Sequence, residues 1–246
     1  MSENKFINVD VNAKSKDVKG SIFSIISNPI FVSFLIVIIA AAAIFGIVVV
    51  TRPAKLPQAS TVEKTFGQKD NANVIIETYE DFLCPGCKAF NPVFDQVLNK
   101  YKDKSVKIVY NHFLIHGNPA KLAAEASEYA FDHGKFLEYK NVLFTQQGQK
   151  VFNIDNLVQF GKDLGLDEKD MRTQLEGAKY ESRVDQDNQR GIDLGVNSTP
   201  TVFINGKKVD GKPFVDSNGG QQYSVPDIDD MTTAIDAALA FSASSI

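Results

Sequence analysis

The chain has 246 residues, of which 43% are hydrophobic and 23% charged, a composition that excludes an intrinsically disordered protein. Its net charge is −4, and the absence of long Lys/Arg runs leaves no basic patch for binding nucleic acid. Both of its two cysteines lie in one CxxC motif, so no other disulfide can stabilise the fold. A chain of this length buries enough apolar surface without one, and we therefore expect the pair to be chemically active.

The first element in chain order is an uncharged apolar stretch at residues 30–50. A helix of this length reaches about 31 Å, which matches the hydrocarbon core of a bilayer. A buried core helix would show a polar stripe, whereas only Ser33 and Gly46 interrupt this stretch. The pattern predicts one transmembrane helix over residues 30–50.

Flanking charge predicts the orientation of this span. The basic residues are Lys5, Lys14, Lys16 and Lys19 before it, and Arg52, Lys55 and Lys64 after it. The positive-inside rule favours a cytoplasmic tail at residues 1–29 and an exported remainder, in a single-pass protein of the cell membrane. A cleaved signal peptide is the alternative, but its leading segment would be shorter and Pro57 suits cleavage before Ser60 poorly. We expect a retained signal-anchor, followed by a linker at residues 51–66.

Residues 67–246 are expected to form one α/β domain. A short run of apolar residues at 74–76 predicts a buried strand, and apolar residues at helical spacing predict a helix from Pro85 to about residue 102. A second strand is predicted at 106–113. Strand, helix and strand in this order predict a βαβ unit with parallel strands.

A helical region at about 118–194 follows, and a strand pair closes the domain. The separate helices are predicted at 120–131, 134–147, 154–165, 167–176 and 180–194, with glycines between them. Asn205-Gly206 between apolar runs at 201–204 and 207–209 predicts a β-hairpin, because both turn residues need positive φ. An amphipathic helix is predicted at 227–241.

The motif Cys84-Pro85-Gly86-Cys87 begins the first helix of the domain. Pro85 suits the first helical position, which places Cys84 at the N-cap beside free amides and the positive end of the helix dipole. This position stabilises a thiolate, so the pKa of Cys84 should lie below its free value of roughly 8.5. A stabilised thiolate is a good leaving group, which makes the disulfide more oxidising. Cys87, one turn inside the helix, would be the less accessible resolving thiol.

Three other interpretations of the motif are weaker. A zinc site needs about four ligands, and the chain offers no third cysteine and only His112, His116 and His133. Covalent haem attachment requires a histidine where Lys88 stands. An inert disulfide in so small a ring would constrain the unfolded chain little. We expect neither a metal nor a cofactor, and we interpret the histidines as core or surface residues.

The motif, together with two later stretches, resembles the DsbA-like thioredoxin-fold oxidoreductases, and most of all their membrane-associated bacterial branch of BdbD-like proteins. The stretches that carry the resemblance are residues 80–87, 134–139 and 195–206. The resemblance extends from about Phe66 to Phe241. It implies a thioredoxin-like α/β fold with an inserted helical subdomain, preceded here by the transmembrane helix.

The resemblance also implies roles for residues outside the motif. Pro200 matches the family's cis-proline, and Thr199 would offer its backbone to an extended client segment. The family usually places a buried acid six positions before the first cysteine, where this chain has Thr78. Glu77 is the candidate proton relay, although strand alternation directs it to the opposite face.

We therefore expect a membrane-anchored, extracytoplasmic thiol:disulfide oxidoreductase that introduces disulfide bonds into exported proteins by exchange at Cys84 and Cys87. Its partners would be reduced exported clients, the membrane, and a quinone-linked membrane re-oxidase (DsbB-like or VKOR-like), as the resemblance implies. The same fold also supports a disulfide reductase or isomerase, and Gly86 favours neither direction. A tethered binding or chaperone module is the alternative from another functional class.

Overall fold

The computed structural model describes residues 63–68, 70–215 and 222–244. The predicted tail, the transmembrane helix at 30–50 and most of the predicted linker lie outside these residues. Within the described part of the chain, no helix is both long enough and apolar enough to cross a bilayer.

A five-stranded sheet, in the order β1-β3-β2-β4-β5, forms the centre of the domain. Its strands are β1 (Lys64–Gly67), β2 (Val74–Glu80), β3 (Val106–His112), β4 (Thr201–Ile204) and β5 (Lys207–Lys208). Strands β2 and β3 are parallel, which confirms the predicted βαβ unit. Strands β4 and β5 are antiparallel, and the turn between them has positive φ at both Asn205 and Gly206, as the hairpin prediction requires.

Seven helices pack around this sheet in the described residues. They are α1 (Pro85–Tyr101), α2 (Gly117–Asp132), α3 (Phe136–Gln146), α4 (Ile154–Asp163), α5 (Glu168–Glu176), α6 (Glu181–Asp193) and α7 (Ile228–Ala243). Helices α2 to α6 lie between β3 and β4 in the chain, which confirms the thioredoxin-like fold with a helical insertion. Helix α1 buries Phe90, Phe94, Val97 and Tyr101 in the hydrophobic core.

The first strand corrects the predicted boundary of the linker. Residues 64–66, expected to belong to the linker, pair antiparallel with β3 as part of β1. The Lys64 side chain is 2% exposed, with its ammonium 2.5 Å from Glu128 Oε1 and 2.6 Å from Asp187 Oδ2. From the sequence, a lysine in a polar stretch is expected to be exposed to solvent. The carboxylates of Glu128 and Asp187, both in the helical insertion, explain its burial.

A second, two-stranded sheet was not predicted. Strand β6 (Lys212–Val215) pairs antiparallel with β7 (Gln222–Val225), and neither strand joins the main sheet. In β7 the exposed residues Gln222 and Ser224 alternate with the buried residues Tyr223 and Val225. This alternation over four residues is too short to stand out in the sequence.

Candidate active site

The two cysteines lie at the start of α1, as the sequence predicts. Cys84 is the N-cap residue, with φ −77° and ψ 121°, and Pro85 occupies the first turn. The Cys84 carbonyl accepts the first helical hydrogen bond from the amide of Lys88, at 3.1 Å. Both cysteines are buried free thiols, so the structure contains the dithiol form of the motif.

The proline loop before β4 completes the site. The peptide bond between Thr199 and Pro200 is cis, in agreement with the family resemblance. The Cys84 thiol donates a hydrogen bond to the Thr199 carbonyl oxygen at 3.2 Å. Cys84, Cys87, Thr199 and Pro200 are thus brought together, as expected, from segments more than a hundred residues apart.

The environment of Cys84 favours its thiolate. The side chain of Cys87 donates a hydrogen bond to it and is the main cause of a pKa lowered to about 6. Burial opposes this effect, while the side chain of Thr199 and hydrogen bonds from the backbone amides of Cys87 and Gly86 add to it. A large fraction of Cys84 is therefore ionised at neutral pH.

The environment of Cys87 favours its thiol. Burial raises its pKa well above the ordinary value, and the hydrogen bond to Cys84 and the negative charges of Cys84 and Glu80 act in the same direction. The amide of Asp81 donates a hydrogen bond to Cys87 Sγ at 3.4 Å, which opposes the shift only weakly. The two sulfurs thus have opposite preferences, as a nucleophile and a resolving thiol require.

Glu80, at the end of β2, is the acid that the sequence interpretation missed. Its side chain is 1% exposed, and neither carboxylate oxygen has a hydrogen-bond partner among the described residues. Burial raises its pKa from 4.5 to about 8, and the charge of Cys84 adds to the shift. A carboxyl group that is largely protonated at neutral pH can exchange a proton with a neighbouring sulfur.

Glu77, the expected proton relay, lies elsewhere. It forms an ion pair with Arg190 of α6, with a distance of 2.5 Å between Oε1 and the guanidinium. Thr78 and Glu80 are two residues apart on β2 and are therefore on the same face, opposite Glu77. The buried acid of this chain thus lies at position 80, on the same face of the strand as position 78. If β2 had been predicted to extend to residue 80, the two-residue alternation of side chains along a strand would have identified Glu80.

Lys140 of α3 supplies a positive charge near Glu80. Its side chain is fully buried, and it pairs with Asp95 Oδ1 at 3.1 Å while lying 4.2 Å from the centroid of the Phe94 ring. Burial lowers the pKa of Lys140, and the charges of Glu80 and Asp95 partly offset this. In turn, Lys140 holds the pKa of Glu80 below the value that burial alone would give.

Two polar side chains hold the loop before Cys84 in place. The Asp81 carboxylate is buried and accepts hydrogen bonds from the amides of Leu83 at 2.7 Å and Ile115 at 2.8 Å. The Gln147 amide, at the end of α3, donates to the carbonyl oxygens of Phe82 at 2.8 Å and Cys84 at 3.0 Å. The helical insertion therefore positions the N-cap of α1 directly.

His112, Glu128 and Asp187 form the group of side chains in the described residues with metal-ligand geometry. The ammonium of Lys64 already lies against both carboxylates, at 2.5 and 2.6 Å. His112 Nε2 lies 3.1 Å from Glu128. Because the Lys64 ammonium already contacts both carboxylates, we interpret this group as a buried ion network and not as a metal site.

Known proteins are similar to this chain in sequence and in fold. A thioredoxin family model matches residues 61–219. The "Disulfide bond formation protein D" of Bacillus subtilis (strain 168) is 28% identical over 156 residues, which are 60% of this chain and 69% of that protein. The "Na(+)/H(+) antiporter NhaA 1" of Mycobacterium sp. (strain KMS) is 33% identical over 146 residues, which are 58% of this chain but only 23% of that protein.

Among solved structures, oxidised BdbD from Bacillus subtilis has the same fold. Its TM-score is 0.60 at 24% sequence identity, and the match covers 72% of this chain and 93% of that one.

Proposed function

Because this chain belongs to the thioredoxin family and is a thiol:disulfide oxidoreductase of the DsbA-like type, we propose that it introduces disulfide bonds into exported proteins. The observation that carries this proposal is the placement of Cys84 at the N-cap of α1 against the Thr199 carbonyl, with Cys87 buried one turn further along the helix. The pKa of Cys84 is lowered to about 6, whereas that of Cys87 is raised. A stabilised Cys84 thiolate favours the reduced enzyme and makes its disulfide an oxidant.

The exchange proceeds in two steps. A client thiolate attacks Sγ of Cys84, the bond between Cys84 and Cys87 breaks, and Cys87 leaves as a thiolate. A second client thiolate then attacks the client sulfur of this mixed disulfide, and Cys84 leaves as a thiolate. The client loses two electrons and gains a disulfide, and the enzyme is left as the dithiol.

Glu80 is the proton donor to Cys87 in this proposal. The released Cys87 thiolate is buried and its thiol form is strongly favoured, so it needs a proton as the bond breaks. Glu80 is buried nearby with a pKa of about 8, and it is therefore largely protonated at neutral pH. Lys140 would stabilise the carboxylate left after the transfer. On re-oxidation of the enzyme the proton returns to Glu80.

The proposed site of action is outside the cytoplasm. The apolar stretch at residues 30–50 supports a membrane anchor, and the flanking charges support export of the domain. Re-oxidation then requires a membrane partner linked to quinone, DsbB-like or VKOR-like. N-terminal sequencing of the mature membrane fraction tests the anchor: a chain that begins near Ser60 would overturn it.

The reduction potential of the Cys84–Cys87 couple tests the direction of electron flow. We expect a value closer to that of DsbA, about −120 mV, than to that of thioredoxin, about −270 mV. A reduction potential near that of thioredoxin would indicate that the protein is a reductase and not an oxidase. In cells, Cys87→Ser should trap mixed disulfides between Cys84 and exported clients, and the matched control Cys84→Ser should trap none.

A further inference from the structure

The ring of Tyr223, in β7, lies against Gly86 of the active-site motif. A Cβ atom at position 86 would be 3.0 Å from Cδ1 and Cγ of the Tyr223 ring, and 3.1 Å from Cδ of Pro200. Carbon atoms in favourable contact are about 3.5–4.0 Å apart. Gly86 therefore leaves room for the Tyr223 ring beside the cis-proline, which a larger residue would not.

The β6–β7 hairpin holds this ring in place. Tyr223 pairs across the hairpin with Phe214, and the two ring centroids are 6.1 Å apart. Ser224 Oγ accepts a hydrogen bond from the amide of Gly211 at 3.1 Å, next to the start of β6. Tyr223 and Val225 are each only 8% exposed, because both pack into the core.

The nucleophilic sulfur of this motif is itself buried. Cys84 has 0% of its surface exposed, although it is the sulfur that must meet a partner. Thiol–disulfide exchange depends on access to the reacting sulfur as well as on thiolate content. In the dithiol form, the thiolate of Cys84 is favoured, but its sulfur is not accessible to solvent.

We propose that Tyr223 is a specificity-determining residue, whose ring keeps small solutes from Cys84 and is displaced by an extended polypeptide. Such a polypeptide pairs with the backbone of Thr199 beside the ring, and this pairing offsets the loss of the contact with Gly86. A small disulfide makes no such pairing. The proposal rests on exchange at Cys84 and is independent of the direction of electron flow.

The test compares two mixed disulfides that share the leaving group 5-thio-2-nitrobenzoate. One carries a small thiol and the other a short linear cysteine peptide. The Cys84 thiolate attacks the non-aromatic sulfur, a new disulfide forms at Cys84, and the coloured thiolate leaves. Cys87 then attacks Cys84 and releases the thiol or peptide as a thiolate. Stopped-flow absorbance of the reduced full chain at pH 8 gives both rates.

We expect Tyr223→Ala to raise the rate with the small disulfide about tenfold, equivalent to about 1.4 kcal/mol of barrier. The rate with the peptide should rise much less, so the preference for peptide falls. Tyr223→Phe is the matched control and should keep the wild-type preference, because ring carbons make the contact with Gly86. The pKa of Cys84 in each variant, from thiolate absorbance, separates access from ionisation.

Gly86→Ala gives a second route to the same measurement. The added methyl group would displace the Tyr223 ring from its position against residue 86. Gly86→Ala should therefore also lower the preference for the peptide disulfide. Equal acceleration of both disulfides by Tyr223→Ala, or wild-type rates in both variants, would overturn the proposal. A reduction potential near that of thioredoxin would contradict the proposed oxidase function but would not affect this inference about Tyr223.

Discussion

The Cys84 thiol donates a hydrogen bond to the carbonyl oxygen of Thr199 over 3.2 Å, although 115 residues separate the two in the chain. An extended client would use the backbone of Thr199 for strand pairing. Ionisation of Cys84 removes the donor of this hydrogen bond. The contact therefore places the nucleophile next to the backbone group proposed to pair with a client.

Substitutions of Cys87 should move the pKa of Cys84 by different amounts. The hydrogen bond from Cys87 is the main cause of the lowered pKa, so Cys87→Ala should raise it from about 6 toward the ordinary value of 9.0. Cys87→Ser keeps a donor and should raise it less. The thiolate absorbance of each variant against pH measures the shift. Equal values in the two variants would show that the hydrogen bond is not the cause.

Glu80 should make the dithiol protein less stable as the pH rises. The carboxyl is protonated in the folded protein up to a pKa of about 8 but ionises at about 4.5 when unfolded. Between these values the folded state holds more protons, so the free energy of unfolding falls with increasing pH, by at most about 1.4 kcal/mol per pH unit. Below pH 4.5 the contribution of Glu80 no longer changes.

Urea unfolding of the reduced protein at several pH values measures this slope. Glu80→Gln should remove the part of the slope that Glu80 causes. Glu77→Gln changes the opposite face of the same strand and should leave that part in place. An identical pH dependence in the wild type and Glu80→Gln would contradict the raised pKa.

Lys140 should lower the proton affinity of Glu80. Lys140→Met keeps an apolar chain of similar length but removes the charge that favours the Glu80 carboxylate. The pKa of Glu80 should therefore rise above about 8, as measured by ¹³C NMR of its carboxyl group, assigned with Glu80→Gln. Lys88→Met, which removes an exposed lysine bonded to the Gln147 carbonyl, is the control and should leave the titration unchanged.

Lys64 should be essential for stability, unlike a lysine on the neighbouring strand. Lys64→Met removes the ammonium that contacts the buried carboxylates of Glu128 and Asp187, which should cost about 3–5 kcal/mol. Lys107→Met breaks a partly exposed pair with Glu63 and should cost at most about 1 kcal/mol. Chemical unfolding at pH 7 compares the two. Similar losses would mean that burial does not distinguish the ion pairs.

The sequence predicted most secondary structure because hydrophobic periodicity and turn residues are local properties. The βαβ unit, the helical insertion and the Asn205-Gly206 hairpin were found in this way. The sequence did not reveal β1 or the β6–β7 hairpin, because each of these strands has only four residues. Their burial depends on partners far along the chain, such as Glu128 for Lys64 and Gly86 for Tyr223.

By itself, the sequence determined where the chemistry lies: Cys84 at a helix N-cap, with Pro85 after it. These are properties of four consecutive residues, since spacing and the fixed φ of proline set them locally. Only the tertiary structure decided which acid is buried near Cys87 and which side chain lies against Gly86. Glu80 has its raised pKa because the fold removes it from water, and Tyr223 reaches Gly86 because the hairpin carries it there. Burial and long-range contact change the energy of a side chain without changing its sequence neighbours.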